Sequence, residues 1–505
     1  MASRLRFTVN AFVTINQLPP EVLGEVFLHL RPAVRKGPGQ PRSTFPSFKG
    51  LFAVTHVCRY WRSTAIASPE LWSQLNIRPS NKNLDDLIQL LIRRSGGLPL
   101  DADLGCRLAA VVPYVHRLRT LFCAGSSAQD FSELCNPPAP LLEKLHILLR
   151  PGSSSREALP TLFNGDTPSL HKLDVNGFDP LPNNRFRGLS SFRLQLSSAG
   201  GNPTFDWYTL LTALQNSPQL KELFLYLNFD YDHFPSMKGI RTPVPLHALQ
   251  RLHVRNLTST IVRQFLNIID LPPDGTAMKF TNIIPHFDWI CPPTLPLDLS
   301  FHAVTSLEIT FPLDFGFIIQ GHNRRTQIRV AETLDSDAMH TEIFSYLIPR
   351  ADSQLPLREL WIHVGRGIEY TLPLSKFPRL EKLVVKSATT REDTVHHLLK
   401  ELESKGARLP CPLLSTLDLS GRLNVEVLAG VLRTRSEGWC KLQRLRLRQG
   451  HIRGLTEAIE RSEVRNYVGK LELFDLHTGP YAMEFPAVCT TGRGELWQPW
   501  TYHQV

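Results

Sequence analysis

The sequence predicts an α/β protein in which a short helical module precedes a long repeat array built on a parallel sheet. Two observations carry this prediction. Residues 18–75 place apolar residues at the three- and four-residue spacing of amphipathic helices. From residue 118 onward, a short aliphatic pattern recurs along the chain with the two-residue alternation of β-strands.

The helical module begins at Leu18, in the stretch LPPEVLGEVFLHL. Pro19 and Pro20 suit the start of a helix, because the missing N–H of proline costs nothing there. The apolar face that follows consists of Val22, Leu23, Val26, Phe27 and Leu30. A second apolar run extends from Leu51 to Trp61. Three short helices cannot bury all of this surface, so we expect the rest of the chain or a partner to cover part of it.

The order of these residues resembles the F-box, the helical module that docks on the Skp-type adaptor of cullin–RING ubiquitin ligases. The matching motifs are LP-x-E from Leu18, VC-x-x-WR from Val57 and PELW from Pro69. The resemblance is nearest to the F-box-like proteins of mushroom-forming fungi. It defines residues 18–75 as an F-box preceded by an extension, residues 1–17. It implies that the adaptor is contacted by Leu18, Pro19, Glu21, Val22, Val26, Phe27, Leu30, Val57, Cys58 and Trp61.

One segment departs from this resemblance. Residues 31–50 are longer and more basic than a compact F-box needs. Their Pro, Gly and Ser content predicts a solvated loop inserted between the first two helices. A loop folded over the helix faces would instead block adaptor docking. The alternative interpretation of the whole module is a helical cap on the domain that follows.

Residues 76–476 carry the recurring pattern, which is a large aliphatic residue, two variable residues, Leu (once Phe), one variable residue and another aliphatic residue. Most copies stand roughly 20 to 34 residues apart, the period of leucine-rich repeats and their irregular relatives. The last two aliphatics share one side of a strand, so stacked repeats form a parallel sheet over a core. We therefore predict an irregular leucine-rich-repeat solenoid. Its copies are Leu118/Leu121/Cys123, Leu142/Leu145/Ile147, Leu170/Leu173/Val175, Leu189/Phe192/Leu194, Leu220/Leu223/Leu225, Leu249/Leu252/Val254, Val304/Leu307/Ile309, Leu357/Leu360/Ile362, Leu380/Leu383/Val385, Leu414/Leu417/Leu419, Leu442/Leu445/Leu447 and Val468/Leu471/Leu473.

The array has two long gaps and a tail. The gaps run from Leu252 to Leu307 and from Leu307 to Leu360, and each holds either a degenerate repeat or an insertion. Residues 477–505 form a C-terminal cap or tail. We expect its aromatic residues to fold back over the exposed last repeat, since a solenoid end needs capping. These residues are Trp497, Trp500 and Tyr502.

The strand positions between the aliphatics face outward and predict a target-binding surface. Exposed aromatic and arginine side chains anchor most protein interfaces. The arginines near residue 446 have no acidic residue among them, which favours an acidic or phosphorylated target. The alternatives are an insertion that covers the aromatics and a merely solvated charge run. The predicted target-binding residues are Phe224, Tyr226, His253, Arg255, Trp361, His363, Arg444, Arg446 and Arg448.

Composition narrows the class of protein. Charged residues at 20% and apolar residues at 42% fit a globular protein with a substantial core. The eight cysteines are too widely spaced for a metal knuckle and are expected to be reduced thiols. With no secretory signal and no apolar run of about eighteen residues, we expect a cytoplasmic or nuclear protein that spans no membrane. No nucleotide-binding, metalloprotease or nucleophile-elbow motif occurs, so we expect neither an enzyme nor a cofactor or metal.

The sequence as a whole favours an F-box/leucine-rich-repeat substrate receptor of an SCF-type ubiquitin ligase. In this interpretation the F-box binds the Skp-type adaptor and the cullin–RING core, and the repeats hold a protein target. A leucine-rich-repeat interaction scaffold that engages no ligase is the alternative. A nucleic-acid binder ranks third, because a net charge of +10 permits an acidic partner without requiring nucleic acid.

Overall fold

The computed structural model of the 505-residue chain describes residues 12–31, 48–76, 84–105, 107–149, 159–177, 184, 186–197, 205–228, 243–272, 276–281, 306–310, 316–322, 327–333, 357–364, 374–387, 393–403, 409–421, 423–438, 440–448, 452–474, 483, 485, 487–490 and 497. Most of the predicted inserted loop 31–50, and both Trp500 and Tyr502, lie outside these residues. The chain divides into two compact units. The first unit comprises Met1–Ala248 with Arg493–Trp497, and the second comprises Leu249–Gly492 with Gln498–Val505.

The first unit begins with the predicted helices. These are α1 (Pro20–Leu28), α2 (Lys49–Val57) and α3 (Arg59–Ala67), followed by a 3-10 helix, Pro69–Trp72, and by α4 (Leu84–Arg94). Cys58 separates α2 from α3 because its backbone is extended, with φ −154° and ψ 173°. Its Sγ accepts a hydrogen bond from the backbone N–H of Trp61 at 3.4 Å and thereby caps α3. A short 3-10 helix, Thr14–Gln17, precedes α1.

The sheet of the first unit is parallel and follows chain order. Strands β1 to β7 each pair with the next. The predicted aliphatic positions align in register, as in the row Leu121, Leu145, Leu173, Phe192 and Leu223, whose side chains are all buried. The predicted strand phase is confirmed here. The elements are β1 (Gln74–Asn76), β2 (Leu100–Gly105), β3 (Leu118–Gly125), β4 (Lys144–Leu149), β5 (Lys172–Asn176), β6 (Ser191–Ser197), α5 (Trp207–Gln215), β7 (Glu222–Asn228) and β8 (Val244–Pro245).

The second unit continues the mixed α/β plan. Its sheet has the order β9-β11-β14-β13-β12-β15-β16-β17-β18-β19. The strands are β9 (Arg251–Arg255), β10 (Ile269–Asp270), β11 (Ala277–Thr281), β12 (Ser306–Thr310), β13 (Gly316–His322), β14 (Gln327–Thr333), β15 (Glu359–Val364), β16 (Lys382–Ser387), β17 (Thr416–Ser420), β18 (Leu442–Arg448) and β19 (Val468–Phe474). The helices are α6 (Ser259–Ile268), α7 (Asp393–Leu402), α8 (Val425–Glu437), α9 (Ile452–Arg461) and α10 (Ala487–Thr490).

The two long gaps in the pattern contain strands that the sequence did not resolve. In the first gap, β11 aligns Met278 with Leu252 and Phe280 with Val254, so it repeats the aliphatic phase. In the second gap, β13 pairs antiparallel with both β12 and β14. The expectation of one continuous parallel sheet is therefore wrong at β13. From β12 onward the sheet is again parallel through β15 to β19.

Helices and turns cover the aliphatic side of the second sheet. Helix α8 contacts β18, and α7 contacts β16. Arg435 of α8 is 1% exposed and donates hydrogen bonds to the carbonyls of Pro410 and Cys411, each at 2.8 Å. The guanidinium thus holds the turn that leads into β17. Among the described residues, no helix combines the length and the apolar character needed to cross a membrane.

Candidate protein-interaction surfaces

The N-terminal helices are joined around Trp61. Its ring lies 5.2 Å, centroid to centroid, from that of Phe27. Its indole Nε1 donates to Asn16 Oδ1 at 2.6 Å, and the neighbouring Tyr60 hydroxyl donates to the Leu18 carbonyl at 2.5 Å. These contacts fix the segment before α1 against α3. Leu18 and Trp61 therefore hold the module together as well as lying at its surface.

Apolar side chains are exposed along one side of α1 and of the turn that follows it. Val22, Val26 and Leu30, at successive four-residue steps, expose between 38% and 46% of their surface, and we call this set the α1 surface. Leu23 and Phe27, which each follow one of these valines in the sequence, face the core and are buried. Exposed apolar side chains grouped along one helix are typical of a surface that binds a partner. The α1 surface is the strongest candidate docking site in the first unit.

The predicted adaptor-binding residues divide into three groups. The exposed group consists of Pro19, Glu21, Val22, Val26, Leu30 and Val57. The partly buried group consists of Leu18, Cys58 and Trp61. Phe27 is only 1% exposed and belongs to the core, which corrects its placement at a docking surface. Val26 and Phe27 are adjacent in the sequence, so helical spacing alone does not show which of the two is buried. The packing of Phe27 against Trp61 shows that Phe27 belongs to the core.

Sequence reasoning missed an apolar group ahead of α1. Phe12, Val13 and Ile15 are exposed, although residues 1–17 were interpreted as an extension. The signal was present, because three large apolar residues occur within four positions there. Ile66 of α3 is exposed as well. These residues enlarge the apolar surface that the module presents.

On the sheet of the first unit, the row of outward-facing side chains combines charged and aromatic residues. His146, Asp174, Arg193 and Phe224 are aligned across β4 to β7. Asp174 Oδ2 lies 3.3 Å from His146 Nδ1 and 3.5 Å from Arg193 Nη1. The Arg193 guanidinium also lies 5.1 Å from the ring centroid of Tyr226. Tyr226 is half-buried, whereas Phe224 is fully buried, so the expected exposure of Phe224 is wrong.

On the sheet of the second unit, Trp361 is covered. It is 7% exposed and packs with Val384, Met483 and Phe485. Its Nε1 donates to Glu359 Oε1 at 2.8 Å, and the Lys382 ammonium lies 4.5 Å from its ring centroid. The expected exposure of Trp361 is therefore wrong. Met483 and Phe485 come from the C-terminal tail, and they lie on β15 and β16 instead of on the last strand.

The histidines of this face are buried as well. His253 Nε2 lies 3.1 Å from Thr281 Oγ1 on the neighbouring strand, and His253 and His363 are both buried. The expectation that they are exposed is wrong. Of the predicted target-binding residues on β9 and β15, only Arg255 is exposed. A further residue, Arg251, donates from Nε to the carbonyl of Val488 at 3.2 Å, which is a second contact with the C-terminal tail.

The arginines of β18 have acidic partners on the adjoining strands. Arg448 Nε lies 3.2 Å from Asp418 Oδ1, and Arg446 Nε lies 2.9 Å from Glu472 Oε2. Arg444 is exposed, with Nε 3.8 Å from Glu472 Oε1. Hydrogen bonds from Lys470 and then from Arg446 lower the pKa of Glu472 below its ordinary value. The fold thus places Asp418 and Glu472 beside these arginines, although neither is near them in the sequence. The prediction of an arginine strip without acidic neighbours is therefore wrong.

These arrangements offer side chains for binding. No group of three His, Cys, Asp or Glu side chains in the described part of the chain is placed to hold a metal ion. Residues 15–78 match the F-box-like family, so an F-box-like domain occupies this part of the chain. F-box domains typically bind Skp-type adaptors, and the domain indicates a role in F-box-mediated protein interaction. A search of curated proteins finds no match to the chain.

Proposed function

We propose that the protein is the substrate receptor of an SCF-type cullin–RING ubiquitin ligase, related to the fungal F-box-like proteins. The F-box-like domain docks on the Skp-type adaptor, and the two sheets form an irregular leucine-rich-repeat solenoid that binds a protein target. The chain itself catalyses no reaction and works in the cytoplasm or nucleus. Its contribution is proximity, because holding the target near the loaded ubiquitin enzyme raises the effective concentration of the reactants.

The α1 surface is the observation that carries this proposal. An F-box-like domain that exposes Val22, Val26 and Leu30 leaves apolar surface in water. Covering each of these side chains by a partner contributes on the order of 1 kcal/mol. The core of the module is already packed through the contact between Phe27 and Trp61. The exposed side chains are thus available to a partner without rearrangement of the core.

The repeat interpretation is supported by strand order and phase. In the first unit, β1 to β7 are parallel and consecutive, and β3 to β7 each add an apolar pair to the same row. The second unit repeats this plan from β15 to β19. Stacked strand-and-connection units of this kind are typical of solenoids, which use their extended sheet surface for binding.

Adaptor binding tests the proposal directly. We expect Val22→Glu/Val26→Glu to abolish co-purification with a Skp-type adaptor and the calorimetric binding signal, with an unchanged unfolding temperature. The matched control is Leu413→Glu, since Leu413 is 57% exposed in the second unit and should bind like the wild type. A wild-type chain that binds no adaptor would instead support an interaction scaffold outside the ligase.

A further inference from the structure

The outward face of β15 and β16 holds part of the C-terminal tail. Met483 is 3% exposed and packs on Trp361 and Val384, with Phe485 beside it. Farther along the tail, the Val488 carbonyl accepts a hydrogen bond from Arg251 of β9. The tail therefore contacts this face through two apolar side chains and one backbone carbonyl.

The tail contacts strands that are not neighbours in the sheet. Its contacts fall on β15 and β16 at one end and on β9 at the other, and β11, β14, β13 and β12 lie between them in the sheet. Met483 and Phe485 supply the apolar part of these contacts, and we call them the tail anchors.

The surface beneath these anchors is chemically distinct from its neighbours. Trp361 and Val384 are aligned with each other, while the flanking positions in the same row are Glu308 on β12 and Asp418 on β17. A tryptophan bordered by polar positions matches the aromatic anchors that dominate interface hot spots. The indole is also fixed in place by Glu359 and by the Lys382 ammonium over its ring. A preorganised anchor site binds with less loss of conformational entropy.

We propose that this face is the binding site for a segment of a partner protein that carries two bulky apolar side chains two positions apart. Met483 and Phe485 are its internal occupants and compete with that segment. The inference deepens the proposed target-receptor function and rests on it. Because these occupants belong to the same chain, their effective concentration at the site is on the order of millimolar. A partner segment must therefore compete with occupants present at that concentration.

A labelled peptide with the sequence of residues 481–490, YAMEFPAVCT, is the probe. It is titrated into the full-length wild type and into Met483→Ser/Phe485→Ser, in which the internal anchors are removed. We expect at least about ten-fold tighter binding to the double variant, because the tethered competitor is gone. Adding Trp361→Ala to that variant should abolish binding. A peptide with serine in place of both anchors is the matched control and should bind neither protein.

Circular dichroism shows whether each variant is folded. Should the double variant fail to fold, Phe485→Ala gives the same comparison, since Phe485 is only partly buried, and it should bind the peptide more tightly than the wild type. Equal binding to the wild type and a folded tail variant, or no binding to that variant, would overturn the proposal. So would a wild-type dimer in which the tail is exchanged. No adaptor is present in these titrations, so their failure is distinct from a failure of adaptor docking.

Discussion

Arg448 and Asp418 form a buried ion pair between neighbouring strands of the second unit. The guanidinium Nε lies 3.2 Å from Asp418 Oδ1, and the two side chains are 4% and 8% exposed. Phe474 covers the guanidinium from the next strand, with its ring centroid 4.8 Å from the Arg448 carbon Cζ. The pair thus fixes β17, β18 and β19 relative to one another. Its burial means that each charge depends on the other for compensation.

Arg448→Ala should therefore be strongly destabilising. It leaves the Asp418 carboxylate buried without its guanidinium, which costs about 3–5 kcal/mol in the free energy of unfolding. Arg446→Ala is the matched control, because its partly exposed ion pair with Glu472 contributes at most about 1 kcal/mol. Urea unfolding measures both. Similar losses for the two variants would contradict the distinction drawn between these arginines.

The Glu472 carboxylate should make stability depend on pH. Its pKa is lowered by Lys470 and Arg446, so its contribution is present above the ordinary glutamate pKa of about 4.3 and is lost as the pH falls through the lowered value. Glu472→Gln should be less stable than the wild type at pH 7, and the difference should shrink in acid. Thermal unfolding over a pH series measures this, with Glu457→Gln as an exposed control. A stability difference between the two proteins that increased on acidification would contradict this prediction.

Phe27 and Val26 should respond oppositely to mutation. Phe27→Ala removes a buried ring that packs on Trp61 and should cost about 3–5 kcal/mol. Val26→Ala should change stability by no more than about 0.5 kcal/mol but weaken adaptor binding, because this side chain is exposed. Chemical denaturation and calorimetry with the adaptor separate the two effects. A stable Phe27→Ala variant would place this ring outside the core.

The thiols should differ in reactivity. Burial raises the pKa of Cys411 to about 12 and raises the pKa of Cys123 well above its ordinary value. At pH 8 the native protein should be alkylated at Cys58 and Cys440, which are partly exposed, long before these two. Mass spectrometry after timed iodoacetamide treatment gives the order. Denaturant should abolish this difference in reactivity. Rapid labelling of Cys123 in the native protein would contradict its burial.

Strand phase was predictable from sequence because it depends on local alternation. The two aliphatic positions of each copy point to one side of a strand whatever lies around it. The register of Leu360, Leu383, Leu417 and Leu445 follows the pattern for that reason. Likewise, proline at the start of α1 and the helical spacing of Val22 and Val26 depend only on nearby residues. These features belong to short stretches of chain.

The errors concern contacts between distant stretches. Trp361 is at an outward position, as predicted, but Met483 covers it from far along the sequence. Arg446 and Arg448 find Glu472 and Asp418 only because strands 26 and 30 residues away lie beside them. The antiparallel strand β13 likewise follows no recurring pattern. Periodicity gives the side of a strand that a residue occupies, but not what is packed on it.

The last turn of the F-box-like domain is built into the adjoining sheet. Trp72 is fully buried, donates from Nε1 to the Ala65 carbonyl at 2.7 Å and lies under the Arg94 guanidinium of α4 at 4.5 Å from its ring centroid. Two residues later the chain enters β1, which pairs with β2. The helices of the domain are therefore joined to the first two strands through Trp72 and β1, and a displacement of these helices would be passed directly to the sheet. A fragment cut after residue 75 would lose the β1–β2 pairing and the cover of Trp72, and it would not report the mechanical behaviour of the intact chain.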